Sequence, residues 1–269
     1  MSYSIWSATQ TVLIYTIIGY ALIVIGFFLI SDSVLYQPPQ ATYQDSSHIV
    51  KIPLPNGKKI SSIYLTNTNA KYTILFSHGN AEDLGTLNPL LMLFRDKGYN
   101  ILAYDYEGYG TSNGFPSEKN TYQDIQAAYD YLIQTLHVSP DNIIVYGRSL
   151  GSGPSIYLAA KNKIKALIIE SAFISAYRVQ TSIPFVLFDK YPNLQRISQV
   201  HVPLLIIHGI NDSIVPLWHG KKLANAANQP VQTYWVKGAD HNNLIFIAQN
   251  NYWKIIQNFV QQLGNSEKS

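Results

Sequence analysis

Hydrophobic and polar positions fall into three regimes along the chain. From Ser2 to Ser31 no residue is charged, and Thr11 to Ile30 reads TVLIYTIIGYALIVIGFFLI. About 20 apolar-dominated residues make a helix of about 30 Å, enough to cross a bilayer core, so this stretch predicts an N-terminal transmembrane helix. Two readings compete with it, a cleaved signal peptide and a buried helix of a soluble domain. Against the first, no Lys or Arg precedes the run, the run is long for a signal core, and only a poor small-x-small site, Ser31-Asp32-Ser33, follows it. No Lys or Arg lies within about 20 residues of either end, so the positive-inside rule assigns no orientation.

The second regime begins after Gln37-Pro38-Pro39-Gln40, which reads as a short extended connector. His48 to Pro53 and Lys59 to Thr66 alternate around Pro55-Asn56-Gly57, a hairpin signal. In the third regime the rhythm changes. Tyr72 to Phe76, Asn100 to Tyr104, Ile143 to Tyr146, Ala166 to Ile169, Leu204 to Ile207 and Val231 to Val236 are short β-rich runs separated by helix-length segments. Such spacing predicts an α/β domain with a mostly parallel central sheet flanked by helices and an antiparallel start. The expected organisation is an anchor over residues 1–34 and a catalytic domain over 35–269.

Composition narrows the partners. The 269 residues are 47% hydrophobic with a net charge of +3, and the basic residues sit in small clusters such as Lys58-Lys59 and Lys221-Lys222. No stripe of the kind that binds nucleic acid is present. There is no cysteine, which excludes disulfides, a thiol nucleophile, a cysteine-based zinc site and lipid attachment to cysteine.

The chemistry concentrates where Ile143 to Tyr146 runs into Gly147-Arg148-Ser149-Leu150-Gly151 and then into a helix-like segment from Pro154. Gly-x-Ser-x-Gly on a strand-to-helix turn is a nucleophile elbow, with the flanking glycines removing side chains that would collide. It would hold the Ser149 hydroxyl clear of the sheet and point the Leu150 N–H at a developing oxyanion. In Ser77-His78-Gly79-Asn80-Ala81-Glu82-Asp83, an N–H near Asn80 can supply the second oxyanion donor. His78 precedes the serine at a strand end and reads as a loop-fixing histidine. Asp105 and Glu107 lie among turn residues and read as loop hydrogen-bonding groups rather than an acid-base pair or metal site. Tyr106 and Tyr109 are candidate walls of a substrate cleft. No metal and no cofactor is expected.

A serine of this kind needs a base and an orienting acid, in the order serine, acid, histidine. Downstream acids at strand ends are Asp212 and Glu170, of which Asp212, in a glycine-bearing turn before Val215-Pro216, is favoured. Behind it stand His219 and His241. His219 falls within two helical turns of Asp212 and is expected to face solvent. His241, in Gly238-Ala239-Asp240-His241-Asn242, follows the last strand and can reach Ser149 as the base.

Several stretches together resemble one family. Phe76 to Gly85, Tyr104 to Gly110, Pro116 to Asn120, Val138 to Ile143 and Gly238 to Asn242 are similar to the eukaryotic α/β-hydrolase-domain depalmitoylases and their bacterial membrane-anchored relatives. The resemblance, from about Leu35 onward, implies an α/β-hydrolase fold with Ser149, Asp212 and His241 as its triad. In the eukaryotic proteins a cysteine-rich acylated N terminus brings the enzyme to membranes, where this chain carries an apolar segment instead. A serine nucleophile excludes the aspartate-based dehalogenases and epoxide hydrolases of the fold and favours acyl transfer to water. The expected substrates are carboxylic esters or thioesters of small molecules, lipids or acylated proteins. A peptidase or aminopeptidase and a non-enzymatic membrane-tethered interaction protein are the alternatives. Ser171 to Val202, with Phe173, Tyr177, Phe185, Phe188 and Tyr191, reads either as a short aromatic lid or as packing onto the sheet.

Overall fold

The β-branched runs become the strands of one eight-stranded sheet. They are β1 (Val50–Pro53), β2 (Lys59–Leu65), β3 (Thr73–Ser77), β4 (Asn100–Tyr104), β5 (Ile143–Arg148), β6 (Ala166–Glu170), β7 (Leu204–Gly209) and β8 (Val231–Val236), in the order β1-β2-β4-β3-β5-β6-β7-β8. β1 and β2 form the hairpin, β2 pairs antiparallel with β4, and every other pairing is parallel. β3, β6 and β7 are buried along their whole length, because helices on both faces leave no polar side for an alternating pattern.

This computed structural model describes residues 2–179, 181, 189–228 and 230–265, with side chains described only from residue 9 to 264. Two units are resolved by their internal contacts, Met1–Gln37 and Pro38–Ser269. The first is one helix, α1 (Ser2–Leu35), within which Thr9–Leu35 has a mean hydropathy of 2.5 and is long and apolar enough to cross a membrane. Leu13, Tyr15 and Leu29 are among its exposed side chains.

In the second unit the helices are α2 (Leu84–Asp96), α3 (Glu118–Asp130), α4 (Ser152–Ala159), α5 (Asn193–Arg196), α6 (Trp218–Ala226), α7 (Leu244–Ala248) and α8 (Asn250–Asn265). α2 begins with a capping box: Asp83 accepts from the Thr86 N–H, and the Thr86 hydroxyl accepts from the Asp83 N–H. One core cluster joins α2 and α8 to the sheet. Phe94 meets Trp253 edge-on at 5.1 Å between ring centres, and Phe76 stacks on Tyr146 at 5.0 Å.

Topology puts the loops that matter side by side. β3 lies between β4 and β5, so the chain switches direction there, and the crevice opens beyond the carboxyl ends of β3 and β5. The register aligns those ends: Ser77 pairs with Gly147, Arg148 with Glu170, and Gly209 with Val236. The loops following β3, β5, β7 and β8 therefore share one edge.

Candidate active site

The turn after β5 carries a non-glycine residue in the left-handed region, Ser149 at φ 50°. That conformation strains an L-residue and is sustained only where surroundings over-determine it. A Cβ on Gly147 would sit 2.5 Å from the Gly151 carbonyl oxygen, so the turn closes only with glycine before the serine. A single 3-10 turn, Ser149–Gly151, then leads into α4, and the Ser152 hydroxyl donates to the Ser149 carbonyl at 2.7 Å. Leu150 is buried in this first turn, where amides have no partner from the helix itself.

Ser149, Asp212 and His241, 92 residues apart at the widest, are brought into one hydrogen-bonded chain. His241 Nε2 lies 2.9 Å from Ser149 Oγ, and His241 Nδ1 lies 2.8 Å and 3.1 Å from the two oxygens of Asp212. With a carboxylate on one side, Nδ1 carries the proton and donates, leaving Nε2 to accept from the serine hydroxyl. Asp212 also accepts from the backbone N–H groups of Ile214 and Val215, at 3.0 and 2.7 Å. Burial alone would raise its pKa. The His241 hydrogen bond and charge outweigh that and hold the carboxyl below its ordinary value.

Two loops carry Asp212 and His241, and Asp240 ties them together. It accepts from the Ser213 N–H at 2.7 Å and the Ser213 hydroxyl at 2.9 Å, and from the His241 N–H at 2.7 Å. Sequence reasoning passed over Asp240, although an acid directly before His241 was a usable signal. It also passed over His208, which is fully buried and donates from Nε2 to the Val215 carbonyl at 2.7 Å, fixing the turn that carries Asp212. Burial depresses the His208 pKa, so it stays neutral.

The loop after β3 lies directly over the elbow: a Cβ on Gly79 would come 3.6 Å from that of Ser149. His78 is fully buried and donates from Nδ1 to the Gly79 carbonyl at 2.7 Å, while Nε2 faces Asp105 Oδ1 at 3.3 Å. Burial lowers its pKa, and the Asp105 hydrogen bond and charge more than reverse this, for a net shift above the ordinary histidine value. A peptide plane holds its carbonyl and the next N–H in opposite directions. Pinning the Gly79 carbonyl therefore aims the Asn80 N–H. The Asn80 side chain accepts from the Tyr109 hydroxyl at 2.6 Å.

Other sequence candidates resolve as follows. Tyr106 and Tyr109 do not line a cleft: both are fully buried, packed on the His78 ring at 4.3 and 5.4 Å, because that ring needs a wall on its apolar faces. Asp105 accepts from the Leu84 N–H and the Tyr43 hydroxyl, and Glu107 takes Lys58 and Asn56, so the two carboxylates serve separate loops. Among the described residues no group of three or more His, Cys, Asp or Glu could hold a metal ion. Glu170 is engaged by Tyr146, Tyr252 and Arg148 rather than by His241.

His219 does not face solvent. It is fully buried on the inner face of α6, where Nδ1 accepts from the Ile174 N–H at 3.2 Å, and burial depresses its pKa to about 4. Of the aromatics after β6, Phe173 and Tyr191 are buried and Tyr177 is half-buried, with the Tyr191 ring on Gly153 and its hydroxyl 2.8 Å from that of Thr121. Phe185 and Phe188 lie outside the described residues.

This strand order, with its polar chemistry gathered beyond β3, β5, β7 and β8, is the architecture of the α/β-hydrolases. Solved structures agree on the fold: an esterase from Pyrococcus furiosus superposes with a TM-score of 0.73 at 18% identity, over 85% of this chain and 97% of its own. The esterase domain of a Rhodothermus marinus protein gives 0.63 at 18% identity, over 80% and 97%. Residues 68–191 match the serine aminopeptidase, S33, family. Sequence similarity narrows the class further. Human α/β-hydrolase domain-containing protein 17B is 40% identical over 211 residues, 77% of this chain and 72% of the relative, and mouse protein 17C is 40% identical over 202 residues, 74% and 62%. The chain belongs to the α/β-hydrolase domain-containing protein 17 family.

Proposed function

We propose that this protein is a membrane-anchored serine hydrolase that cleaves carboxylic ester or thioester bonds through an acyl-serine intermediate. The observation that carries the reading is the unbroken Asp212–His241–Ser149 chain, with 2.8 and 2.9 Å links, at the mouth of a strained elbow.

His241 Nε2 takes the Ser149 proton as Oγ bonds to the substrate carbonyl carbon, and the carbonyl oxygen becomes an oxyanion held by the Asn80 and Leu150 N–H groups. Collapse breaks the bond to the leaving alcohol or thiol, which receives the proton from His241. Water then attacks the acyl-serine with its proton passing to His241, and the carboxylic acid leaves as Ser149 is reprotonated. Asp212, held ionised, stabilises the imidazolium in both halves.

Kinship with the protein 17 family favours acylated proteins or lipids as substrates, and an apolar N-terminal helix would keep the active site beside a membrane that contains them. The test is an acyl-chain series of p-nitrophenyl esters and matched thioesters on the full chain in detergent, with Ser149→Ala as control. Serine-dependent turnover that rises with chain length, thioesters included, is the expected result. Turnover that falls with chain length assigns a small-ester carboxylesterase instead. The match to the serine aminopeptidase family supports a second reading, and turnover of aminoacyl-amide reporters at rates comparable to esters would establish it. Failure of Ser149 to react with a fluorophosphonate would leave a non-enzymatic membrane-tethered protein.

A further inference from the structure

Outside the triad, the polar side chains around the elbow form one continuous path. Glu82 Oε2 accepts from the Gly79 N–H at 2.7 Å, and Glu82 Oε1 accepts from Arg148 Nη1 at 2.7 Å. Arg148, whose neighbour in the chain is Ser149, faces Glu170 Oε1 through Nε at 3.2 Å. Glu170 Oε2 accepts from the hydroxyls of Tyr146 and Tyr252, at 2.5 and 2.6 Å, and is buried at the end of β6. The path thus joins the loop after β3 to the ends of β5 and β6 and to α8.

Stability is a weak reason for such a group. Holding a buried carboxylate, Glu170, and a half-buried one, Glu82, around one guanidinium costs desolvation that the pairing only roughly offsets. Geometry is a stronger one. Gly79 is gripped on both sides, the peptide that follows it through its carbonyl by the His78 ring and the peptide that precedes it through its N–H by Glu82. Glu82 is in turn held by Arg148, the residue that precedes Ser149.

We propose that Glu82, Arg148 and Glu170 are positioning residues that lock the oxyanion loop to the nucleophile elbow, with Arg148 as the pivot and Gly79 as the point of action. The inference rests on the hydrolase reading above. Its consequence is that loss of Glu82 or Arg148 weakens binding of the tetrahedral transition state while leaving ground-state binding nearly intact.

The test uses the full chain in detergent, its active sites titrated to completion with a fluorophosphonate, a short p-nitrophenyl ester as substrate and phenylboronic acid as tetrahedral mimic. Glu82→Ala lies on a partly exposed loop and should fold. Because a donor displaced by about 1 Å costs up to about 10²-fold, Glu82→Ala and Arg148→Gln should each lower kcat per active site about 10- to 100-fold, with KM within about 3-fold. The inhibition constant for the boronic acid should rise in proportion. Glu82→Gln, whose amide oxygen still accepts from Gly79, should fall between Glu82→Ala and wild type. The double variant should be no worse than the worse single, since both act through one path. A merely structural role would reduce the titrated sites and leave kcat per site and the boronate constant unchanged. That result, or losses that add in the double variant, overturns the proposal while the wild type remains active. A wild type with neither ester turnover nor boronate binding overturns the hydrolase reading itself.

Discussion

Gly209 ends β7 three residues before Asp212, and the space beside it belongs to the loop that carries His241. A Cβ added there would lie 2.5 Å from the Ala239 carbonyl oxygen, 3.0 Å from the Ala239 carbonyl carbon and 3.3 Å from the Asp240 oxygen, where ordinary contact begins at 3.4 Å. Gly209→Ala must therefore open the two loops by about 0.9 Å, and the obstacle is backbone, which has no rotamer to change. The same backbone carries the Asn211 N–H to Ala239 carbonyl bond of 2.9 Å, so the opening strikes the stitching between the loops directly. Lengthening the 2.8 Å Asp212–His241 contact by that amount would take it past hydrogen-bond range. Overpacking of this kind costs about 1–3 kcal/mol, or about 2–12 °C in Tm for a domain this size. A misplacement near 1 Å costs about 10²-fold in kcat. Thermal denaturation and ester turnover of the full chain read both. The matched control is Gly264→Ala in α8, where the new Cβ meets only the Tyr72 hydroxyl at 3.9 Å, and where the gain in helix propensity, up to about 1 kcal/mol, should leave Tm unchanged or slightly raised. Gly209→Ala with wild-type Tm and kcat would refute the reasoning, since it would mean the two loops are not in register through Gly209.

Four further outcomes follow from the same geometry. Ser149→Ala should lose about 10³-fold or more in turnover while keeping the wild-type Tm, the residue coming from the oxyanion donors; a loss of Tm instead would make Ser149 a structural residue. Asp212→Asn should impair turnover more than Glu170→Gln, because Asp212 bonds His241 and Glu170 bonds tyrosines, and the reverse ranking would reassign the acid. Burial takes the His219 pKa from 6.5 to about 4, so between those pH values the unfolded chain binds a proton that the folded chain refuses. This contribution is present above pH 6.5, falls as pH drops toward about 4, and should leave a shallower pH dependence of the urea midpoint in His219→Asn. Asp83→Ala removes the α2 cap and acceptors for the Thr42 N–H and hydroxyl, at 2.7 and 2.6 Å, and should cost about 2–4 kcal/mol in chemical denaturation.

The middle of the sheet was legible because β3, β6 and β7 are buried along their whole length and so appear as unbroken apolar runs. Each predicted run overlaps an observed strand, and β5, β6 and β7 extend one or two residues beyond the predicted ends, to Arg148, Glu170 and Gly209, where polar or small residues stop the apolar signal. The positions of Ser149, Asp212 and His241 were legible for a related reason: each follows a strand end, and chain order limits the choices. What the pattern hid is the set of contacts that hold those loops. Glu82 meets Arg148 across 66 residues, Tyr252 meets Glu170 across 82, and Asp240 meets Ser213 across 27, all separations at which spacing along the chain carries no information. His219 failed differently. Beside Trp218 and Lys221-Lys222 it reads as part of a solvated helix start, yet α6 turns His219, Gly220 and Leu223 inward, and Gly220 brings that face close to the His208 ring. An isolated polar residue on the inner face of a short helix looks the same in sequence as one on the outer face. The backbone N–H of Ile174, 45 residues away, gives His219 Nδ1 a partner inside the fold. Ser149, Asp212 and His241 therefore obey local rules of strand end and turn, while the contacts around them answer to tertiary geometry alone. A relative that keeps the elbow and the histidine loop but replaces Glu82 and Arg148 together would have to hold the loop after β3 by other contacts, whereas replacing Glu82 alone would leave Arg148 with Glu170 as its remaining partner.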